Sequence, residues 1–107
     1  MNVLIANFNY QGMSEAELSA TCDQLAPNFA NIPGCFEKTW IIDAAANGCG
    51  GIYKFRDRAS LEGYLASELW KGVESTPQFV NLTTRVYDVM EGPTAITHGM
   101  PQAASVR

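Results

Sequence analysis

The stretch from Cys35 to Phe55, CFEKTWIIDAAANGCGGIYKF, reads as two strands joined by a short loop, and it decides the fold. Cys35 to Asp43 alternates and carries Trp40, Ile41 and Ile42, while Gly50 to Arg56 holds Ile52, Tyr53 and Phe55. Ala44 to Gly48 supplies the loop, which makes the pair a hairpin. Upstream, Ser14 followed by Glu17 is a capping box that starts a helix. Leu18, Cys22, Leu25, Phe29 and Ile32 then mark one apolar helical face. Pro27 lies inside that pattern and predicts a kink or a short break before Asn28 to Asn31, and Pro33-Gly34 ends the element. Met1 to Tyr10, closed by Gln11-Gly12, reads as the first strand. Downstream, Asp57 caps a second helix in which Leu61, Leu65, Leu69 and Val73 recur every fourth residue beside Tyr64, ending near Ser75. A last strand runs from Phe79 to Met90 and stops at Glu91-Gly92-Pro93. Thr94 to Arg107 lacks periodicity, so residues 1–92 are expected to form one domain and 93–107 a tail or an arm laid over a partner.

The order β-α-β-β-α-β predicts a ferredoxin-like α+β fold, a four-stranded antiparallel sheet with both helices on one face. Period-two alternation then sorts the strand residues. Phe36, Trp40, Gly51, Tyr53, Phe55, Tyr87 and Val89 are expected beneath the helices, and Thr39, Ile41, Ile52, Val80, Leu82 and Val86 on the opposite face. An apolar patch of that kind is uncommon on a monomer, which predicts a homodimer through the open sheet face.

Composition excludes several function classes. Seven Lys and Arg against eleven Asp and Glu give a net charge of −4, a poor balance for a polyanionic partner, so no nucleic acid is expected. The same element order serves RNA-binding RRM domains, but those need basic residues beside exposed aromatics, and here the open face is aliphatic. Cys22, Cys35 and Cys49 form no C-x-x-C pair and fit reduced thiols in a cytoplasmic protein. Cys22, on the apolar stripe of the first helix, reads as packing. No signal peptide or membrane span is evident, and without export the Asn81-Leu82-Thr83 glycosylation pattern is a coincidence. A single histidine, His98, falls in the tail, so no imidazole cluster is expected to hold a metal and no acyl-transfer triad is available. Gly48-x-Gly50-Gly51 feeds a strand, whereas a phosphate loop opens a helix.

Four pieces then occur in order: Pro33-Gly34, Lys38-x-Trp40, Gly50-Gly51-Ile52-Tyr53-x-Phe55 leading to Asp57, and Val86-Tyr87-Asp88-Val89. With them the chain, from the first strand to Glu91, resembles the YdhR-like putative monooxygenase family of the dimeric α+β barrel superfamily. The resemblance implies a homodimer whose two sheets close into a barrel, with a pocket in each protomer between its own sheet and helices. It also implies a cofactor-independent monooxygenase that oxidises phenols or quinols with molecular oxygen; the alternative is a non-catalytic small-molecule binder or an isomerase-like barrel protein.

Such oxidation needs no cofactor if the deprotonated substrate itself donates an electron to oxygen. The protein must then exclude water, supply a base and place donors against a developing oxyanion. Lys38, Tyr53 and Tyr64 are the expected catalytic residues: Lys38 as electrostatic element or base, the tyrosines as hydrogen-bond donors. Trp40 as an aromatic wall, Gly51 as room for a planar ring, Phe55, Arg85 and Asn7 are the expected substrate-binding set. Against this, Trp40, Phe55 and Tyr87 also suit plain core, Lys38 a solvated head on an apolar stem, Arg85 a surface or interface charge, and Asn7 a structural hydrogen bond.

Overall fold

The computed structural model describes residues 1–101. Four strands, β1 (Asn2–Tyr10), β2 (Cys35–Asp43), β3 (Gly48–Phe55) and β4 (Phe79–Asp88), form one antiparallel sheet in the order β2-β3-β1-β4. The β-α-β-β-α-β arrangement is the ferredoxin-like one expected. The hairpin forms as read, turning through a short 3-10 segment, Ala44–Ala46, and Asn47 at φ 50.

Helix α1 (Glu15–Phe29) opens with the capping box: Ser14 Oγ accepts from the Glu17 N–H at 3.1 Å, and Glu17 Oε1 accepts from the Ser14 N–H at 2.9 Å. The helix passes through Pro27 without the expected break and ends two residues later. A proline removes only one donor, and at this position the cost falls on the final turn. Ile32 therefore lies beyond the helix, yet it is buried in the core.

The expected second helix is two helices, α2 (Arg58–Leu65) and α3 (Glu68–Glu74). In a straight helix an apolar residue every fourth position drifts by about 40° per step, so the stripe from Leu61 to Val73 cannot stay on one face. Ser67 makes the break. Its hydroxyl donates to the Tyr64 carbonyl at 2.6 Å and accepts from the Trp70 N–H at 3.3 Å, ending one helix and capping the next. Leu61 and Tyr64 from α2 and Trp70 from α3 then all reach the core. After β4 the chain forms a further short helix, α4 (Glu91–Ile96), where no periodic structure was expected, and the Met1 ammonium bonds Glu91 Oε2 at 3.0 Å. Expectations for residues 102–107 lie outside the described residues.

Alternation holds for β1, β2 and β3. Leu4, Ala6, Lys38, Trp40, Gly51, Tyr53 and Phe55 share the helix-covered face, and Val3, Ile5, Thr39, Ile41 and Ile52 share the other. Phe36 is the extra residue of an irregularity in β2, so Cys35 takes the place opposite Phe55. β4 departs from the expected phase. Asn81 and Leu82 together oppose Phe8, with Asn81 at φ 58, a bulge that shifts the register by one residue. Val80 keeps the open face, but Leu82 and Val86 turn inward and pack on the core, while Tyr87 stands on the open face, 47% exposed. The open patch is accordingly Val3, Ile5, Ile41, Ile52, Val80 and Tyr87.

The core has two parts. One gathers Leu4, Ala6, Phe29, Ile32, Tyr53, Phe55, Leu61, Tyr64 and Trp70; the other Tyr10, Leu18 and Cys49, with Phe8, Cys22 and Phe79 against them. Where the two parts fail to merge, under α1, there is a cavity. No helix among the described residues is long and apolar enough to cross a membrane.

Candidate active site

The cavity has a volume of about 340 Å³ and is lined from both core parts. α1 contributes Cys22 and Phe29, β2 contributes Lys38 and Trp40, β3 contributes Gly51 and Tyr53, and α3 closes one end with Trp70. Alternation explains why the hairpin supplies its floor: Lys38 pairs with Tyr53 and Trp40 with Gly51, so all four point the same way.

Lys38 is the unusual group. Its Nζ lies 3.5 Å from the Trp40 ring centroid, 3.6 Å from that of Phe29 and 4.8 Å from that of Tyr53. Among the described residues it has no carboxylate partner, whereas Lys54 pairs with Glu37 and Lys71 with Glu68. Burial lowers its pKa from 10.5 to about 8, opposed by the nearby Cys22 and Cys35 thiols. The ring faces hold the ammonium form but replace only part of its lost hydration. Lys38 therefore exchanges a proton near neutral pH.

Tyr53 is 3% exposed, and its hydroxyl accepts a hydrogen bond from Tyr64 Oη at 2.9 Å. That direction leaves the Tyr53 proton free to point at a guest. Burial pushes the Tyr53 phenol up to about 12 and the Tyr64 phenol higher still, so both stay protonated. Trp40, 38% exposed, meets Phe29 edge to face at 5.4 Å and forms a wall at the mouth. A Cβ on Gly51 would lie 3.1 Å from Lys38 Cε and 3.2 Å from Tyr53 Cε1, so the space expected to take a planar ring is filled by these two side chains, which the glycine lets approach the backbone. Burial raises the Cys22 and Cys49 thiols, Cys49 to about 12, which keeps them protonated at the cavity wall.

The expected residues thus divide. Lys38, Trp40, Gly51 and Tyr53 meet at the cavity. Tyr64 acts one step behind, through the Tyr53 hydroxyl, and Phe55 lies stacked behind the Tyr53 ring at 6.2 Å, fully buried and outside the lining. Asn7 and Arg85 do not reach it. Asn7 pairs with Gly50 and Thr83, and Arg85 lies opposite Ile5, so both side chains belong to the open face. Two contributors escaped sequence reading as site residues, Phe29 and Trp70. Phe29 was legible only as a member of the α1 stripe; Trp70 depends on the cap at Ser67, three residues before it.

Over residues 3–100 the sequence matches the family described as "Putative mono-oxygenase ydhR". The chain belongs to that family. The family match extends past Gly92, through α4, which the resemblance read from sequence left out. Among solved structures, a protein from Deinococcus radiodurans titled a putative antibiotic biosynthesis monooxygenase superposes with a TM-score of 0.70 at 13% identity, covering 85% of this chain and 94% of that one. SnoaB of Streptomyces nogalater, titled a cofactor-independent oxygenase, gives 0.66 at 15% identity, covering 84% and 93%. MhuD, in a mutant form with two manganese protoporphyrin IX per active site, gives 0.65 at 12% identity, covering 84% and 95%. At these identities the likeness is one of fold. No curated protein matches the sequence.

Proposed function

We propose that this mono-oxygenase family member oxidises a phenolic or quinol-type aromatic molecule with molecular oxygen and no cofactor, as a homodimer joined through the open sheet face. The observation that carries the reading is the desolvated Lys38 amine among three aromatic rings, at a largely apolar cavity of about 340 Å³. In its neutral form Lys38 takes the substrate's acidic proton, and the resulting ammonium, held by the rings, balances the anion. Tyr53 donates its proton as a hydrogen bond to the developing oxyanion, with Tyr64 fixing its direction. The electron-rich anion passes one electron to oxygen, the radical pair combines to a peroxide, and loss of water leaves the carbonyl. In an anthrone-type substrate a CH₂ group plus O₂ gives C=O plus H₂O, and in a hydroquinone C₆H₆O₂ plus O₂ gives the hydroxyquinone C₆H₄O₃ plus H₂O, so in both the substrate supplies every electron.

The MhuD likeness raises a porphyrin as a second guest. Among the described lining residues there is no histidine, and Cys22 and Cys49 are held protonated, so the lining offers a haem iron neither an imidazole nor a thiolate. The case for the dimer is the apolar set on the open face, the half-buried Val3, Ile5, Ile41, Ile52 and Val80 with the exposed Tyr87, which in a monomer would keep contact with water.

The test is oxygen uptake in metal-free buffer with hydroquinones and anthrone-type phenols. Wild type should consume oxygen, and Lys38→Ala should lose about 10²-fold or more in kcat, the usual worth of a positioned base. Trp40→Ala should act mainly on KM. Tight ligand binding with no uptake would identify a non-catalytic binder, and unchanged rates in both variants would remove Lys38 and Trp40 from the site.

A further inference from the structure

The same cavity offers chemistry beyond oxygen. We infer that Lys38 is a covalent capture site for planar aromatic aldehydes and ketones, which it binds as a protonated imine. The amine adds to the carbonyl carbon, a C–N bond forms, the carbonyl oxygen leaves as water, and the nitrogen retains one proton and the positive charge. No oxidant or reductant is consumed.

Three features of the geometry favour this. First, no carboxylate among the described residues ties Lys38, so the nitrogen lone pair is not held out of reach by an ion pair, in contrast to Lys54 and Lys71. Second, the rings of Phe29, Trp40 and Tyr53 that surround Nζ at 3.5 to 4.8 Å face the iminium as they face the ammonium, so the positive charge made in the reaction is already provided for. Third, Gly51 lets Lys38 Cε and the Tyr53 ring lie against the bare β3 backbone, which fixes the amine at the cavity lining beside Trp40. The mainly apolar lining limits the water that can reach and hydrolyse the product. The charged groups near the amine are few: Asp23 on α1 lines the cavity, and the Cys22 and Cys35 thiols remain neutral.

The test uses the whole chain, 2-naphthaldehyde as the probe and sodium cyanoborohydride to fix the imine, under anaerobic conditions, followed by intact mass and peptide mapping. With Lys38 titrating near about 8, its free-amine fraction at that pH far exceeds that of an ordinary lysine, and labelling should favour Lys38 over Lys54 and Lys71 by about tenfold or more. Lys38→Arg, which keeps the charge and cannot form an imine, should lose that adduct, and Lys54→Arg should keep it. As a measurement on wild type alone, excess 2-naphthol should protect Lys38 and leave labelling of the other amines unchanged. Labelling spread over the amines according to their exposure, or absence of protection by 2-naphthol, would overturn the inference. Because no oxygen is present, this outcome is separate from that of the oxygen-uptake test: loss of selective labelling with intact uptake removes only the imine, and the converse removes only the oxygenase reading.

Discussion

Replacing Lys38 by methionine should strengthen the fold while removing the proposed base. Burial lowers the Lys38 pKa from 10.5 to about 8, so the folded chain holds this proton less tightly than the unfolded chain does. Below about pH 8 both states are protonated and the fold carries the full penalty of the desolvated charge. Between about 8 and 10.5 the folded form loses its proton first, the unfolded chain binds more protons, and stability rises with pH. At 1.36 kcal/mol per unit the shift corresponds to about 3 kcal/mol; partial solvent access and the three ring faces return some of it, leaving about 1–2 kcal/mol. Methionine matches the stem of lysine without the charge, so Lys38→Met should raise the unfolding free energy by about 1–2 kcal/mol at pH 7. The gain should shrink to about a quarter of that at pH 10. Urea unfolding of both proteins, followed by tryptophan fluorescence at the two pH values, measures it; the difference between proteins cancels the cysteines and tyrosines that titrate nearby. A variant less stable than wild type at pH 7, or a gap that does not change with pH, would refute the reasoning.

Neighbouring glycines should respond differently. A Cβ on Gly50 would strike the Ala6 carbonyl, which is backbone and cannot swing aside, so Gly50→Ala should cost about 3 kcal/mol in chemical denaturation. Gly51→Ala meets only side chains and should fold, with a raised KM for phenolic substrates as Lys38 and Tyr53 are crowded. Tyr64→Phe removes the donor to the Tyr53 hydroxyl and should cost about 1 kcal/mol in the same measurement. Ile52→Asp, in the middle of the open face, should convert the dimer to a monomer in sedimentation velocity; a monomeric wild type would end the case for pairing there.

What could be read from sequence was what neighbours along the chain decide. The Ser14–Glu17 capping box and the Asp57 cap depend on residues three apart, and both are seen. The hairpin from Cys35 to Phe55 carries its own alternation, which is why Lys38, Trp40, Gly51 and Tyr53 emerged together as a site. Arg85 and Asn7 were harder, because which face a strand residue takes depends on register against other strands. The division between α2 and α3 rests on Ser67, whose hydroxyl suits a helix surface as well as a cap, so the period-four leucines favoured one long helix. Trp70 comes to the cavity only through that division. Phe29 shows the converse: its place on a stripe was plain, but that its ring would lie under an ammonium required β2 to be in position.

The bulge at Asn81 has a bearing on how this chain can vary. It lets Phe79 and Leu82 both turn toward the interior although they are three apart, and everything after it in β4 inherits that offset. Loss of Asn81 would leave Val80 opposite Asn9 and Leu82 alone opposite Phe8, so the strand would become regular while Leu82 and Val86 kept their inward face. Relatives should therefore tolerate one residue fewer at Asn81, as well as length changes in the turns at either end of β4, but keep the spacing from Leu82 to Asp88 constant, so that this segment serves as a fixed ruler for aligning distant members.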